Sequence, residues 1–328
     1  MGGLEKNNNR NLEGEAGVCL IGTTLMNPKV FLSFRRFLAG LLVAAIPTVF
    51  GLAGSGSDYS QKSVAELIDN LTQIDSQSPG INSATIYEGF IANDSPGSFH
   101  GGVLGVPAPK VPPQMSELVR RGPVALPELI KHLDDRRPTR LEVGNKPSGK
   151  QVGVDVFMFM FFSDEYDPRV PHWFSEEDWK TGPQPMAKTF KGRYIAKVGD
   201  VCFVLIGQIV NRRLLAVRYQ PSAGLVVNSP IEAPVLVERV RSDWGNADAE
   251  VLKGSLLQDV QARNHPKRIS RAEYTERFVN PALARLRLFF PDAYYSLEGS
   301  DLQKRKMFER QENKNRHLPH TVTAETSR

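Results

Sequence analysis

A charge-free apolar run near the amino end constrains this chain most, because it decides whether the protein meets a membrane. The run, FLAGLLVAAIPTVFGL, covers the 16 residues Phe37–Leu52. Arg35 and Arg36 precede it, and the small residues AGSG follow it. A basic segment, a short apolar core and a small-residue exit are typical of a secretory signal peptide, whereas a membrane span needs about 20 apolar residues. We therefore predict export, and we favour cleavage over retention as an anchor.

Alternatives stay open for residues 1–53. A helix buried in the fold would account for the same apolar run. If translation starts at Met26, the segment MNPKVFLSFRR is an ordinary basic leader. If the upstream residues are present, the run is expected to act as a single transmembrane anchor whose positive flank keeps the amino end in the cytoplasm. We thus interpret residues 1–53 as an amino-terminal extension followed by a signal peptide or signal anchor.

Charge is balanced along the body of the chain. Residues 54–300 hold 29 basic and 29 acidic residues, so the net charge of +5 comes from the two ends. A nucleic-acid-binding protein needs a basic face that releases counterions, and the composition argues against such a partner. Of the two cysteines, Cys19 lies in the extension, and Cys202 in VCFVLIG is interpreted as a small buried apolar residue.

Helical spacing of apolar residues appears twice in the region 54–137. Residues 63–74 predict a helix with a capping box formed by Ser63 and Glu66. Residues 115–135 (MSELVRRGPVALPELIKHLDD) predict two short helices joined at Gly122, with Leu129 and Leu133 facing the core. A long Gly/Pro loop, residues 75–112, separates the two regions, and loops of this length are commonly functional or disordered.

The hairpin at 115–135 resembles one repeat of the HEAT/armadillo kind, and residues 63–74 resemble it loosely. The pattern x-E-L-I-x-x-L of residues 65–71 recurs at 127–133. No regular period follows, so the resemblance is to a hairpin rather than to an array. It implies paired helices that could offer a surface to a protein partner.

The remaining patterns mix strands and helices. We predict strands at 152–162, 192–198 and 224–228, and either state at 214–219. Residues 201–210 suit a buried strand or a buried helix, and we favour a helix with Asp200 as N-cap. Helices are predicted at 234–241, 247–263 and 280–290, the last with Asn280 as N-cap. The expected fold is helix-rich α+β, with HEAT-like helical hairpins in 54–137, a mixed domain with a small central sheet in 138–300, and a polar, flexible or solvated helical tail in 301–328.

The acidic segment 164–178 could carry chemistry. Its acidic residues could act as acid and base or hold a divalent cation, but they also suit a turn at Asp167 and the first turn of a helix. We favour this structural interpretation and expect basic partners nearby. The segment contains Asp164, Glu165, Asp167, His172, Glu176, Glu177 and Asp178.

A basic cluster is the second candidate. Arginines beside an apolar segment could bind an anionic ligand, although they more often pair with carboxylates. The cluster comprises Arg212, Arg213, Arg218 and Tyr219. Asn70 and Asn93 match the N-glycosylation pattern. The histidines show no pair at metal-ligand spacing, and they are His100, His132, His172, His265, His317 and His320.

The sequence carries none of the common phosphate-loop, zinc, calcium or nucleophile-elbow signatures, so we predict no metal and no cofactor and leave the catalytic residues unassigned. The chain as a whole resembles exported bacterial proteins with no assigned activity. We expect an exported or membrane-anchored, non-catalytic binding or scaffold protein of the cell envelope. The alternative is an exported hydrolase that uses the carboxylates of 164–178. We leave open whether the chain binds a protein partner, and we do not expect it to bind nucleic acid. We expect membrane contact only through Phe37–Leu52.

Overall fold

The structure, a computed structural model, describes about three fifths of the chain. Outside the described residues lie Phe37–Leu52, Asn93, most of the acidic segment and the end of the tail. The described residues are 58–82, 85–87, 89–92, 99–102, 109–144, 156–158, 167, 189–190, 193–220, 224–262, 265 and 269–317.

Helices account for most of the described residues, and this confirms the predicted helix-rich α+β class. Within the described part of the chain, no helix combines the length and apolar character that crossing a bilayer requires. The α-helices are Val64–Asp69 (α1), Pro113–Arg121 (α2), Leu126–Lys131 (α3), Val198–Val210 (α4), Pro234–Trp244 (α5), Ala249–Gln261 (α6), Arg271–Tyr274 (α7), Asn280–Phe289 (α8), Pro291–Tyr295 (α9) and Gly299–His317 (α10).

Small sheets complete the fold. The strands are Thr85–Tyr87 (β1), Phe99–Gly102 (β2), Pro138–Gly144 (β3), Val156–Met158 (β4), Thr189–Phe190 (β5), Arg193–Lys197 (β6), Val217–Gln220 (β7) and Gly224–Val227 (β8). A four-stranded sheet has the order β5-β4-β8-β7, in which β4 and β8 are parallel and the other neighbours are antiparallel. The pairs β1-β2 and β3-β6 each form a separate antiparallel sheet of two strands.

Helix α4 is the centre of the core, and all of its residues are buried. It is the helix predicted for 201–210, but it begins earlier, at Val198. Asp200 is therefore the third residue of the helix, and the expectation that it is the N-cap is wrong. The reason lies in β6, which ends at Lys197 and leads directly into the helix.

The predicted hairpin packs against α4. Helices α2 and α3 both contact it, and Leu129 and Leu133 are fully buried as expected. Gly122 turns the chain between the two helices with a positive φ of 51°. The same glycine packs closely on the Phe289 ring, where a Cβ would approach to 2.6 Å. The capping box of Ser63 and Glu66 is also confirmed.

The carboxyl-terminal helices differ from expectation at two points. A π-helical turn, Thr275–Val279, joins α7 to α8, so Asn280 lies inside a continuous helix and is not an N-cap. The segment from Asp301, expected to be a tail that contributes little, forms α10 and buries Phe308 in the core. Its Glu312 also pairs with Arg287 of α8. One buried aromatic side chain and an ion pair thus dock this polar helix on the core.

We predict that Gly199 cannot be replaced by alanine without loss of stability. A Cβ at this position would lie 2.4 Å from the carbonyl oxygen of Leu133, which is backbone and cannot rotate away. Overpacking of this kind costs about 1–3 kcal/mol. Urea unfolding of Gly199→Ala should show that loss.

The matched control is Gly254→Ala in α6, where a Cβ would meet nothing within 4 Å. Alanine is favoured over glycine in a helix interior by about 0.5–1 kcal/mol, so this variant should gain stability. Equal effects of the two substitutions would contradict the close approach of α4 to the end of α3.

Candidate functional site

The carboxyl end of α4 carries the most concentrated buried charge among the described residues. Asn211 ends the helix with a φ of 59°, a left-handed conformation that asparagine adopts more readily than most residues. This turn directs Arg212 back over the helix end. Arg212 Nη1 donates to the carbonyl oxygens of Asn211 at 2.8 Å and Val210 at 3.3 Å. A cation here is favourable because the helix dipole places partial negative charge at its carboxyl end.

Two carboxylates converge on the same guanidinium. Arg212 Nη1 lies 2.8 Å from Asp259 Oδ2 of α6, and Nε lies 3.1 Å from Asp167 Oδ2. Arg212 Nη2 donates to Ser255 Oγ at 3.0 Å. The Arg212 side chain is only 1% exposed. We call Arg212, Asp167, Asp259 and Ser255 the Arg212 cluster.

Neighbouring side chains hold the cluster in place. Asn211 Nδ2 donates to Asp259 Oδ2 at 2.9 Å and to the carbonyl oxygen of Phe278 at 3.1 Å. The guanidinium of Arg212 also lies 5.6 Å from the ring centroid of Trp244. Helices α4, α5 and α6 and the π-helical turn are thereby joined at one point.

Burial dominates the electrostatics of the carboxylates. Desolvation raises the pKa of Asp259 and that of Asp167, because a charged carboxylate loses its hydration there, and the positive charge of Arg212 opposes both shifts. Burial raises the pKa of the nearby Tyr274 to about 12, with a further increase from the negative charges of Asp259 and Asp167.

A second buried arginine stands beside the cluster. Arg285 of α8 donates from Nε to the carbonyl oxygen of Gln208 and from Nη1 to that of Pro281. Its guanidinium lies 4.3 Å from the ring centroid of Phe90. Burial lowers the pKa of Arg285 to about 9. Two arginines therefore bind carbonyl groups in the last turn of α4.

The amino end of α4 holds the opposite charge. The buried Asp200 carboxylate accepts hydrogen bonds from the Lys197 backbone N–H at 2.8 Å, from the Tyr194 hydroxyl at 2.7 Å and from the Ser229 hydroxyl. Desolvation raises the pKa of Asp200, and the hydrogen bonds from Ser229 and Lys197 oppose that shift. This three-donor arrangement ties β6 and the end of β8 to the helix.

The two candidate groups from the sequence meet in the Arg212 cluster. Asp167 of the acidic segment pairs with Arg212 of the basic cluster, as expected from the structural interpretation. Arg213 and Arg218 have polar or charge interactions of their own. The side chain of Tyr219 and the other members of the acidic segment, Asp164, Glu165, His172, Glu176, Glu177 and Asp178, lie outside the described residues.

The remaining candidates have structural environments. Cys202 is fully buried in α4, and burial raises the pKa of its thiol, which keeps it protonated. His132 Nδ1 lies 3.1 Å from Asp135 Oδ2 on the surface of the hairpin. The amide of Asn70 donates to the carbonyl oxygen of Glu66. Among the described residues, no group of three or more metal-ligating side chains is close enough to hold an ion.

Sequence reasoning missed Asp259, Asp200 and Ser229 as parts of buried networks. For Asp259 a signal was present, since it lies three residues after Leu256 and seven after Leu252, on the buried face of α6. A charged residue on the buried face of a helix must have a partner of opposite charge or a hydrogen-bond donor. No comparable signal marks Ser229, because its contact with Asp200 depends on the packing of β8 against α4.

The chemistry of the Arg212 cluster is that of an anchor. Its two carboxylates are almost fully covered, and Nε, Nη1 and Nη2 of Arg212 are directed at protein oxygens. A general acid or base must reach the reacting atom, whereas these carboxylates face a guanidinium. The cluster fixes the chain at Asp167 to α4 and α6.

We predict that Arg212→Met destabilises the protein by about 3–5 kcal/mol, because removal of one partner leaves buried carboxylates uncompensated. Urea unfolding measures the loss. In the control Lys253→Met, the ion pair with the 75% exposed Glu250 is broken, and the cost should stay below about 1 kcal/mol. Similar losses in the two variants would show that the Arg212 cluster is not an anchor.

We predict that Asp200→Asn flattens the pH dependence of stability. A carboxylate whose pKa is raised on folding stabilises the native state below its unfolded pKa, and this contribution is lost as pH rises through the folded pKa. The free energy of unfolding of the wild type should therefore fall as pH rises above about 4, by up to about 1.4 kcal/mol per unit from this group.

Denaturant unfolding at a series of pH values measures that slope, which should be smaller in Asp200→Asn. The exposed Asp75 provides the matched control, and Asp75→Asn should keep the wild-type slope. An unchanged slope in Asp200→Asn would mean that the Asp200 carboxylate titrates alike in the folded and unfolded chains.

Comparison of the chain with protein-family models, with curated proteins and with solved structures gave no match.

Proposed function

We propose that this chain is an exported, non-catalytic binding protein of the cell envelope that contacts a protein partner through the turn of its helical hairpin. The observation that carries the proposal is Val124, an apolar side chain 74% exposed at the tip of the turn between α2 and α3. A valine at such a position gains nothing within the monomer and gains free energy when a partner covers it.

Two further exposed apolar side chains belong to elements that meet at this turn. The turn Gly122–Val124 contacts α6, and Gly122 packs on Phe289 at the end of α8. Asn211 Nδ2 donates both to Asp259, near the end of α6, and to the carbonyl oxygen of Phe278, just before α8, so the end of α6 lies close to the start of α8. The last turn of α8 lies beside the hairpin turn because it contains Phe289, and the first turn of α6 belongs to a helix that contacts the hairpin turn.

Val251 lies in that first turn of α6 and is 52% exposed, and Leu288 lies in that last turn of α8 and is 38% exposed. We call Val124, Val251 and Leu288 the turn face. Single exposed apolar residues are ordinary on a protein surface, but several at the junction of contacting elements are typical of an interaction site.

Internal pairing of the polar residues supports a non-catalytic role. Asp200, Asp259 and Asp167 are directed at donors within the protein rather than at solvent. The alternative, an exported hydrolase, would depend on Asp164 and the acidic residues after it. A thermal-shift series with Mg²⁺, Ca²⁺, Mn²⁺ and Zn²⁺ separates the two functions. We expect no stabilisation by these cations, whereas a rise in Tm that disappears in Asp164→Asn would favour the hydrolase.

Export is tested separately. Residues 26–60 fused to a reporter that is active only outside the cytoplasm should give activity, because Phe37–Leu52 has the features of an export signal. Leu42→Arg should abolish that activity, since a charge at the centre of such a segment costs about 2.5–3.5 kcal/mol on insertion. Cytoplasmic recovery of the unprocessed wild-type chain would contradict export.

Site-specific photo-crosslinking tests the turn face. We predict that the full chain with p-benzoylphenylalanine at position 124, expressed in the cells that naturally produce it, gives one discrete protein adduct. The control places the same group at Met307 of α10, which is 57% exposed but belongs to a different helix. The Met307 position should give no matching adduct. Identical adducts from both positions, or none from position 124, would contradict the proposed surface.

A further inference from the structure

The four-stranded sheet has one face against the core and one face directed away from it. On β8, Leu225 and Val227 belong to the main hydrophobic core, whereas Val226 is buried but does not join it. Side chains alternate along a strand, so Val226 and Asn228 share the second face. Arg218 of β7 is directly opposite Val226 in the antiparallel register, which places Arg218 on that face as well.

Asn228 is the unusual member of this face. Its backbone N–H continues the ladder by donating to the carbonyl oxygen of Ala216 at 2.7 Å, so its alternation with Val226 is maintained. Its side chain is only 1% exposed, yet neither Nδ2 nor Oδ1 has a hydrogen-bond partner among the residues that the structure describes. Buried polar groups are almost always satisfied, and an unsatisfied amide in a native structure requires an explanation.

We propose that Asn228 and Arg218 bind a small carboxylate that carries a hydroxyl or amino group on its adjacent carbon, that is, a 2-hydroxy or 2-amino acid. The Nδ2 group of Asn228 would donate to the carboxylate, and Oδ1 would accept from the hydroxyl or amino group. Arg218 has an interaction of its own, so its part is to supply positive charge, and the unmet hydrogen bonds are those of Asn228. Because the Asn228 side chain is almost fully buried, the proposed ligand is a small molecule.

The location in the sheet agrees with this assignment. Strands β4 and β8 are the parallel pair of the four-stranded sheet, and Asn228 directly follows β8. In open α/β sheets, ligands bind beyond the carboxyl ends of parallel strands, and Asn228 has the corresponding position at its parallel pair. The site is separate from the turn face and does not depend on a protein partner, so each proposal can fail without the other.

Calorimetric and thermal-shift titrations of the full chain with L-lactate and with glycine test the site, with acetate as the probe that lacks the second donor. At constant ionic strength, lactate or glycine should give a saturable response that acetate does not reproduce. Asn228→Leu keeps a similar side-chain volume and removes both polar groups. It should weaken binding about tenfold or more, and Arg218→Gln should weaken it as well.

The control Asn246→Leu alters an exposed asparagine and should retain the response of the wild type. If Asn228→Leu does not fold, Asn228→Ala makes the same comparison with a smaller side chain. Absence of a saturable response to both lactate and glycine in the wild type would overturn the proposal. An unchanged affinity in a folded Asn228 variant would overturn it too.

Discussion

The complete burial of α4 is the constraint on which the rest of the structure depends. A helix without a solvent-facing side must have its end groups satisfied by protein. At the amino end, Val198 N–H and Gly199 N–H donate to the carbonyl oxygens of Arg137 and Asp135. At the carboxyl end, Arg212 and Arg285 donate to backbone carbonyl groups. The segments that surround α4 are those that supply these partners.

The charges placed at the two ends of α4 follow the direction of its dipole. Asp200 lies in the first turn and the two arginines at the last, which is the favourable arrangement for both. The arginines are costly to bury alone, so Asp259 and Asp167 accompany them. This explains why one carboxylate of the acidic segment, that of Asp167, is fixed within the protein.

The two proposed sites contrast with this satisfied interior in different ways. The turn face exposes apolar groups that only a partner can cover, and Asn228 buries polar groups that only a ligand or water can pair. Each is a local departure from the satisfied packing around α4. Departures of this kind are where functional sites are expected, because folding alone gives no reason for them.

The sequence by itself determined the local elements. Apolar spacing predicted the hairpin with Leu129 and Leu133 inside, because burial at period 3.6 depends on near neighbours along the chain. The Gly199-Asp200 signal favoured a helix at 201–210, although Asp200 is not its N-cap. It also marked Asp167 and Arg212 as members of charged groups. Only the tertiary structure decided that these two residues pair, that Phe308 docks α10, and that the buried Asn228 side chain has no hydrogen-bond partner among the described residues. These contacts join residues far apart in sequence, and no local periodicity records which distant side chain lies opposite which.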